Sequence, residues 1–148
     1  MHPPPEVMEF NVDGEARGST GQSGIGGVLR DHTGRVLCIF SKFIGNTDAI
    51  TAEMQAIATS CDISAFKPEL EGKRIVFVSD SQTAVSWINS SGFSNVEHSK
   101  TNYNILCLLC KLGQASVEFN PKDTNFSADR LAKQGAEGGG DVMRWSLS

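Results

Sequence analysis

The sequence predicts an α/β fold: a mixed five-stranded sheet, three antiparallel strands followed by parallel ones, with helices on both faces. Two observations lead there. The first third of the chain shows period-two apolar alternation broken by short turn signals, as in an antiparallel meander. From residue 49 onward the apolar spacing becomes three-and-four and alternates with short β-branched runs.

The elements follow in order. Met8, Phe10 and Val12 alternate with Glu9 and Asn11, which predicts a strand over 7–13. Glycines at 14, 18, 21 and 24 among Ser, Thr and Gln read as turn chemistry over 14–24. A second strand is expected over 25–30, a hairpin turn over 31–34 with Gly34 at positive φ, and a third strand over 35–44. Ile50, Met54, Ile57, Ala58 and Cys61 then mark a helix over 49–65, ended by the Lys67-Pro68 region. Ile75-Val76-Phe77-Val78 is a continuous apolar run ending at Ser79-Asp80, the pattern of a strand buried on both faces. Helices are expected over 81–90 and 99–112, a short strand over 115–119, and a last helix over 127–135. Ser127 suits its N-cap and Gly135 its stop. The order βββαβααβα fills one domain over 1–148, with a core of about 6–137 and a loose glycine-rich tail. No repeat is evident.

Composition narrows the class. The 148 residues carry 17 acidic and 13 basic side chains, a net charge of −4 that disfavours nucleic-acid binding by bulk positive charge. With 39% hydrophobic and 20% charged residues, the chain has the makings of a core rather than of a disordered segment. No apolar run is long enough to span a membrane, and the Met1-His2-Pro3-Pro4-Pro5-Glu6 start lacks a signal-peptide pattern. The expectation is an intracellular monomer, nuclear or cytoplasmic, with Cys38, Cys61, Cys107 and Cys110 as reduced thiols.

Four carboxylates stand apart from the others. Asp13 ends the first strand, Glu53 lies among apolar residues of the first helix, Asp80 ends the buried strand and Asp129 opens the last helix. Strand ends and helix starts of such a sheet converge on one edge. Four carboxylates there repel one another, and a divalent cation removes the repulsion. Oxygen-only ligands suit Mg²⁺ or Mn²⁺, and a pair of such ions is the usual arrangement for cutting a phosphodiester. Each residue also has a bland reading: Asp13 as a hairpin former before Gly14, Asp80 as an N-cap, Asp129 as a favourable first-turn charge, Glu53 as a solvated helix residue.

The segments Phe10-Asn11-Val12-Asp13-Gly14, 24–31, Ala52-Glu53-Met54, Val78-Ser79-Asp80-Ser81 and 125–133, in this order, resemble the type 1 ribonuclease H family. More narrowly they resemble plant reverse-transcriptase-like ribonuclease H domains, as does the triple-proline lead-in. The resemblance runs from about residue 3 to 135. It implies a ribonuclease H-like fold and metal-dependent endonucleolytic hydrolysis of the RNA strand of an RNA–DNA hybrid, through two Mg²⁺ or Mn²⁺ ions held by Asp13, Glu53, Asp80 and Asp129. It also implies hybrid contacts at Gly14, Gln82, Lys122 and Asn125, and recognition through shape and 2′-hydroxyls.

Two departures imply weakened cleavage. Where many relatives have an asparagine pair before the glutamate, this chain has Ala49 and Ile50. Where many have a loop histidine ten residues before the last aspartate, it has Phe119. The alternative is therefore a non-catalytic nucleic-acid-binding or adapter domain derived from a retroelement. The Cys107-x-x-Cys110 spacing lacks a second pair and is expected to be two buried structural thiols. Asp13-Gly14-Glu15 spells the DxE of an exonuclease of related fold, a reading disfavoured by the three-strand opening and the Ala128-Asp129 block. Trp87 is expected in the core or lining a groove. Apart from the four site residues, acidic and basic side chains are equal in number, so attraction to phosphate is expected to depend on bound metal.

Overall fold

The computed structural model describes residues 7–18, 21–90, 98–121, 126–138 and 140–146. Three antiparallel strands come first: β1 (Val7–Ala16), β2 (Gly21–Arg30) and β3 (Val36–Thr47). Helix α1 (Ala49–Ala65) follows, then a 3₁₀ turn (Pro68–Leu70) and β4 (Arg74–Ser79). Helices α2 (Gln82–Asn89) and α3 (Ser99–Leu112) precede β5 (Ala115–Phe119), α4 (Phe126–Ala136) and β6 (Val142–Trp145). The sheet has six strands in the order β5-β4-β1-β2-β3-β6. β4 runs parallel to both β1 and β5, and the remaining pairs are antiparallel.

The mixed α/β class holds, with one strand more than expected. That strand comes from the tail expected to be loose: Val142–Trp145 pairs with β3 over Ser41 to Cys38. Its Trp145 ring is covered by the Lys67 ammonium at 4.7 Å, a cation–π contact that helps hold the edge.

The glycine stretch 14–24 is a turn only in its middle, with bends at Arg17 and Gly18 and φ +70° at Gly18. β1 continues through Gly14 to Ala16 and β2 begins at Gly21. Gly14 and Gly24 lie in these strands and serve close packing instead, as does Gly26. A Cβ on Gly14 would collide with the Ala52 and Glu53 backbone of α1, and one on Gly26 would lie 2.5 Å from Ala132 N of α4. Because neighbouring strand residues point to opposite faces, Gly14 looks at α1 while Asp13, paired with Gly26, looks at α4. One helix therefore sits on each face of the same two strands. Gly135 also lies inside α4 rather than stopping it, packed against the Lys42 backbone, and Ser127 lies inside that helix rather than before it.

The core lies between the sheet and α1, with α3 packed on α1. Phe10 stacks on Phe77 at 5.8 Å and meets Phe40 edge-on at 5.9 Å, arrangements favoured by ring quadrupoles. Capping fixes the helix starts at the sheet edge. Asp48 accepts from Thr51 N at 2.8 Å to open α1, and Ser81 Oγ accepts from Ala84 N at 3.2 Å to open α2. Gly34 has φ +87° in the hairpin after Asp31, as expected.

Two smaller expectations resolve. Trp87 is half-buried, its ring 5.2 Å from that of His98, whose Nε2 lies 2.9 Å from Thr51 Oγ1. Cys107 and Cys110, expected to be buried, are exposed. The buried side of α3 is set by Asn102, Ile105 and Leu112, and both cysteines fall off that stripe.

Candidate active site

The parallel pairing of β1 with β4 brings Val12 beside Ser79, so Asp13 and Asp80 emerge together at the same end of neighbouring strands. α1 carries Glu53 over β1. Its Oε1 accepts a hydrogen bond of 2.6 Å from Gly14 N, which locks the carboxylate to the strand that bears Asp13. α4 carries Asp129 in its first turn, on the opposite face of β1. The four residues predicted from the sequence do converge. Ligand oxygens of Asp13, Glu53 and Asp80 all lie within 4.8 Å of one another. A second group, Asp13, Glu15 and Asp129, meets the same distance limit. Asp13 belongs to both.

Three of the four bland readings fail; Asp129 does stand in the first turn of α4, as its bland reading has it, but it is buried there beside Asp13. Asp13 is inside a strand, not a hairpin. Ser81, not Asp80, caps α2. Glu53 is 8% exposed and Asp129 likewise 8%. Glu15 is not among the four site residues predicted from the sequence, where it stands only in the disfavoured Asp13-Gly14-Glu15 spelling. The signal that finds it is its spacing, since residues two apart on a strand share a face.

Electrostatics show the strain of this arrangement. Burial, then the neighbouring Glu53 and Asp80, pushes the Asp13 carboxyl up to about 11. Burial and the charge of Asp80 likewise raise Glu53, to about 8, although hydrogen bonds from Asp13 and Gly14 N oppose the shift. No hydrogen-bond donor among the described residues reaches the buried Asp13 Oδ2. Lys133 Nζ lies 3.1 Å from Asp129 Oδ2, one helical turn on. A buried carboxylate oxygen with no donor, amid other carboxylate oxygens, is the environment a hard divalent cation satisfies. The residues therefore fit such an ion.

A pH dependence follows. Both groups hold protons near pH 6, and a cation must displace them. Each displaced proton makes apparent affinity about tenfold tighter per pH unit in the range below the raised pKa. The rise in melting temperature on adding Mn²⁺ is expected to be larger at pH 8 than at pH 6. A thermal denaturation series at fixed Mn²⁺ checks this, and an equal or smaller rise at pH 8 would refute the carboxylate assignment.

The other expected contacts are spread differently. Gly14 is at the site, with its N–H committed to Glu53 and its Cα face closed by α1. Gln82 is exposed at the first position of α2, two residues from Asp80. Lys122 and Asn125 lie outside the described residues. Ala49 and Ile50 open α1, and Phe119 pairs with Ser79 at the end of β5 with 42% of its surface exposed. An apolar ring thus stands one strand away from Asp80.

Comparisons with known proteins agree with this geometry. A comparison with curated proteins returns no match. Among solved structures, RNase H1 from the archaeon Halobacterium salinarum superposes with a TM-score of 0.80 at 22% identity, covering 89% of this chain and 98% of that one. LC11-RNase H1, isolated from compost and solved in complex with an RNA/DNA hybrid, gives 0.81 at 23% identity with the same coverage. The N-terminal RNase H domain of a Mycobacterium tuberculosis protein gives 0.76 at 24% identity, covering 89% of this chain and 94% of that one. These likenesses establish the ribonuclease H-like fold. The family model described as reverse transcriptase-like matches residues 11–135, a span that includes all four predicted carboxylates, and the chain belongs to that family.

Proposed function

We propose that this chain is a metal-dependent endonuclease that hydrolyses the RNA strand of RNA–DNA hybrids. The observation that carries the reading is the convergence of Asp13, Glu53, Asp80 and Asp129 at one sheet edge, with oxygens close enough to share cations. These four residues would hold two Mg²⁺ or Mn²⁺ ions. Such ions, when bound, activate water and stabilise the leaving oxygen of a phosphodiester. The chain's own contribution is positioning. Gly14 N fixes Glu53, β1 and β4 fix Asp13 and Asp80 side by side, and α4 delivers Asp129. Gly14, Gln82, Lys122 and Asn125 are the proposed contacts to the hybrid, and the protein acts as a monomer.

Cleavage is expected to be slow. Ala49 and Ile50 lack the amide groups that an asparagine pair would offer a nucleic-acid strand, and Phe119 cannot carry a proton. The solved LC11-RNase H1 complex supports the choice of substrate for this fold.

The test is digestion of a labelled RNA–DNA hybrid with Mn²⁺, with Asp80→Asn run in parallel. The wild type should leave a 5′-phosphate and a 3′-hydroxyl, and the variant should be slower by about 10²–10³-fold, because several kcal/mol of charge stabilisation depend on the cation site. Equal rates for the two proteins would refute the nuclease assignment. Hybrid binding without any cleavage would favour the adapter reading that Ala49, Ile50 and Phe119 motivate.

A further inference from the structure

The structure assigns a fifth carboxylate, Glu15, to this centre: we propose that it ligates a divalent cation together with Asp13 and Asp129. The inference rests on the metal-site reading above and goes beyond its four residues.

Three observations carry it. Glu15 follows Asp13 by two positions on β1, and it pairs with Gly24 as Asp13 pairs with Gly26, so both side chains point to the α4 face. Ligand oxygens of Glu15, Asp13 and Asp129 lie within 4.8 Å of one another. Oxygens bound to one Mg²⁺ or Mn²⁺ at about 2.1 Å can be no more than about 4.2 Å apart, so only small side-chain adjustments close this set around an ion. Finally, Asp13 is 3% exposed and its Oδ2 meets no donor among the described residues, which leaves a buried lone pair aimed into the cluster.

The two carboxylate groups share only Asp13. Glu53 and Asp80 therefore serve one cation position, and Glu15 and Asp129 serve the other. The glycines explain how Glu15 reaches it. Gly24 and Gly26 let α4 lie against the strand, and no side chain from β2 separates Glu15 or Asp13 from Asp129. Lys133 Nζ contacts Asp129 Oδ2 and is the charge that an arriving cation must share or displace.

The experiment is a titration of the full chain with Mn²⁺, read by the electron paramagnetic resonance of free Mn²⁺. The proteins are the wild type, Glu15→Gln, Glu53→Gln and Glu9→Gln. Glu9 is on the same strand and accepts from Asn11 at 2.9 Å, so its variant controls for the loss of one negative charge. The wild type should bind two ions. Glu15→Gln should retain one at wild-type affinity and weaken the other about tenfold or more, Glu53→Gln should weaken a different one, and Glu9→Gln should bind as the wild type does. Circular dichroism of the metal-free proteins should be superimposable. Wild-type affinities in Glu15→Gln, or an equal weakening in Glu9→Gln, would overturn the assignment of Glu15 and leave the four-residue site standing. No Mn²⁺ binding by the wild type would overturn both.

Discussion

Asp13→Asn is expected to make the metal-free protein more heat-stable and at the same time insensitive to Mn²⁺. Asp13 is the residue common to both carboxylate groups, and burial beside Glu53 and Asp80 holds its pKa near 11. The sign follows from linkage. Between the ordinary carboxylate pKa of 3.8 and this raised value, the folded state binds a proton that the unfolded state has released. Folding stability is therefore fullest below about pH 4 and falls as the pH rises through that window. At pH 7 the penalty is about 2–4 kcal/mol, shared with the coupled Glu53. Asparagine keeps the shape and removes the titration. In EDTA at pH 7 the variant should melt roughly 5–10 °C above the wild type, and its melting temperature should vary less with pH. Adding Mn²⁺ should raise the wild type by mass action and leave the variant unmoved. Hybrid cleavage should fall by about 10³-fold or more, since both cation positions lose a ligand. Calorimetry in EDTA and in Mn²⁺ decides the matter, and a variant that melts below the wild type in EDTA would show that Asp13 is not under electrostatic strain.

Gly26→Val is expected to separate the two halves of the site. A Cβ at residue 26 would lie 2.5 Å from both Ala132 N and Leu131 Cβ, contacts that involve helix backbone and cannot be relieved by a side-chain turn. Adding three carbons forces α4 off the sheet. Overpacking of this kind costs about 3 kcal/mol, enough to lower the melting temperature of a domain this size by roughly 10 °C. α4 takes Asp129 with it, whereas Asp13, Glu53 and Asp80 are carried by β1, α1 and β4, which the β1–β4 pairing and the Gly14 N–Glu53 hydrogen bond hold together without α4. The variant should keep one Mn²⁺ position and lose the other. Mn²⁺ titration together with a melting curve measures both effects. Two ions bound at wild-type affinity would mean that α4 does not need glycine beneath it.

The sequence discloses helices and carboxylates well and glycines poorly. α1, α3 and β5 begin and end where apolar spacing predicts, because each buries a stripe that its own residues define. The four carboxylates are legible because Asp13 and Asp80 end apolar strands, Glu53 interrupts an apolar helix and Asp129 opens the last helix. Gly14 and Gly24 have the same local signature in a turn as beneath a helix. What distinguishes the two is a backbone more than 30 residues away, Ala52 for Gly14 and Ala132 for Gly24. Glu15 is visible in the Asp13-Gly14-Glu15 spelling, but a strand predicted to end at Asp13 gives no reason to set its side chain beside Asp13; β1 runs on to Ala16. The exposure of Cys107 and Cys110 also depends on packing, because α3 is rich in Leu and Cys on several sides and its contacts with α1, α2 and β5 select Ile105 and Leu112 for burial.

The sixth strand has a consequence for how this chain behaves in company. Without Val142–Trp145, the backbone donors and acceptors of Ser41 to Cys38 would form an open ladder beside Phe40. Bare, apolar strand edges recruit strands from other molecules and start aggregates. The chain covers that ladder with its own short strand β6, with Lys67 over the Trp145 ring. The segment that reads as a glycine-rich remainder thus leaves a four-residue strand, rather than the longer β3, at this edge of the sheet, and very short edge strands give other chains little to pair with.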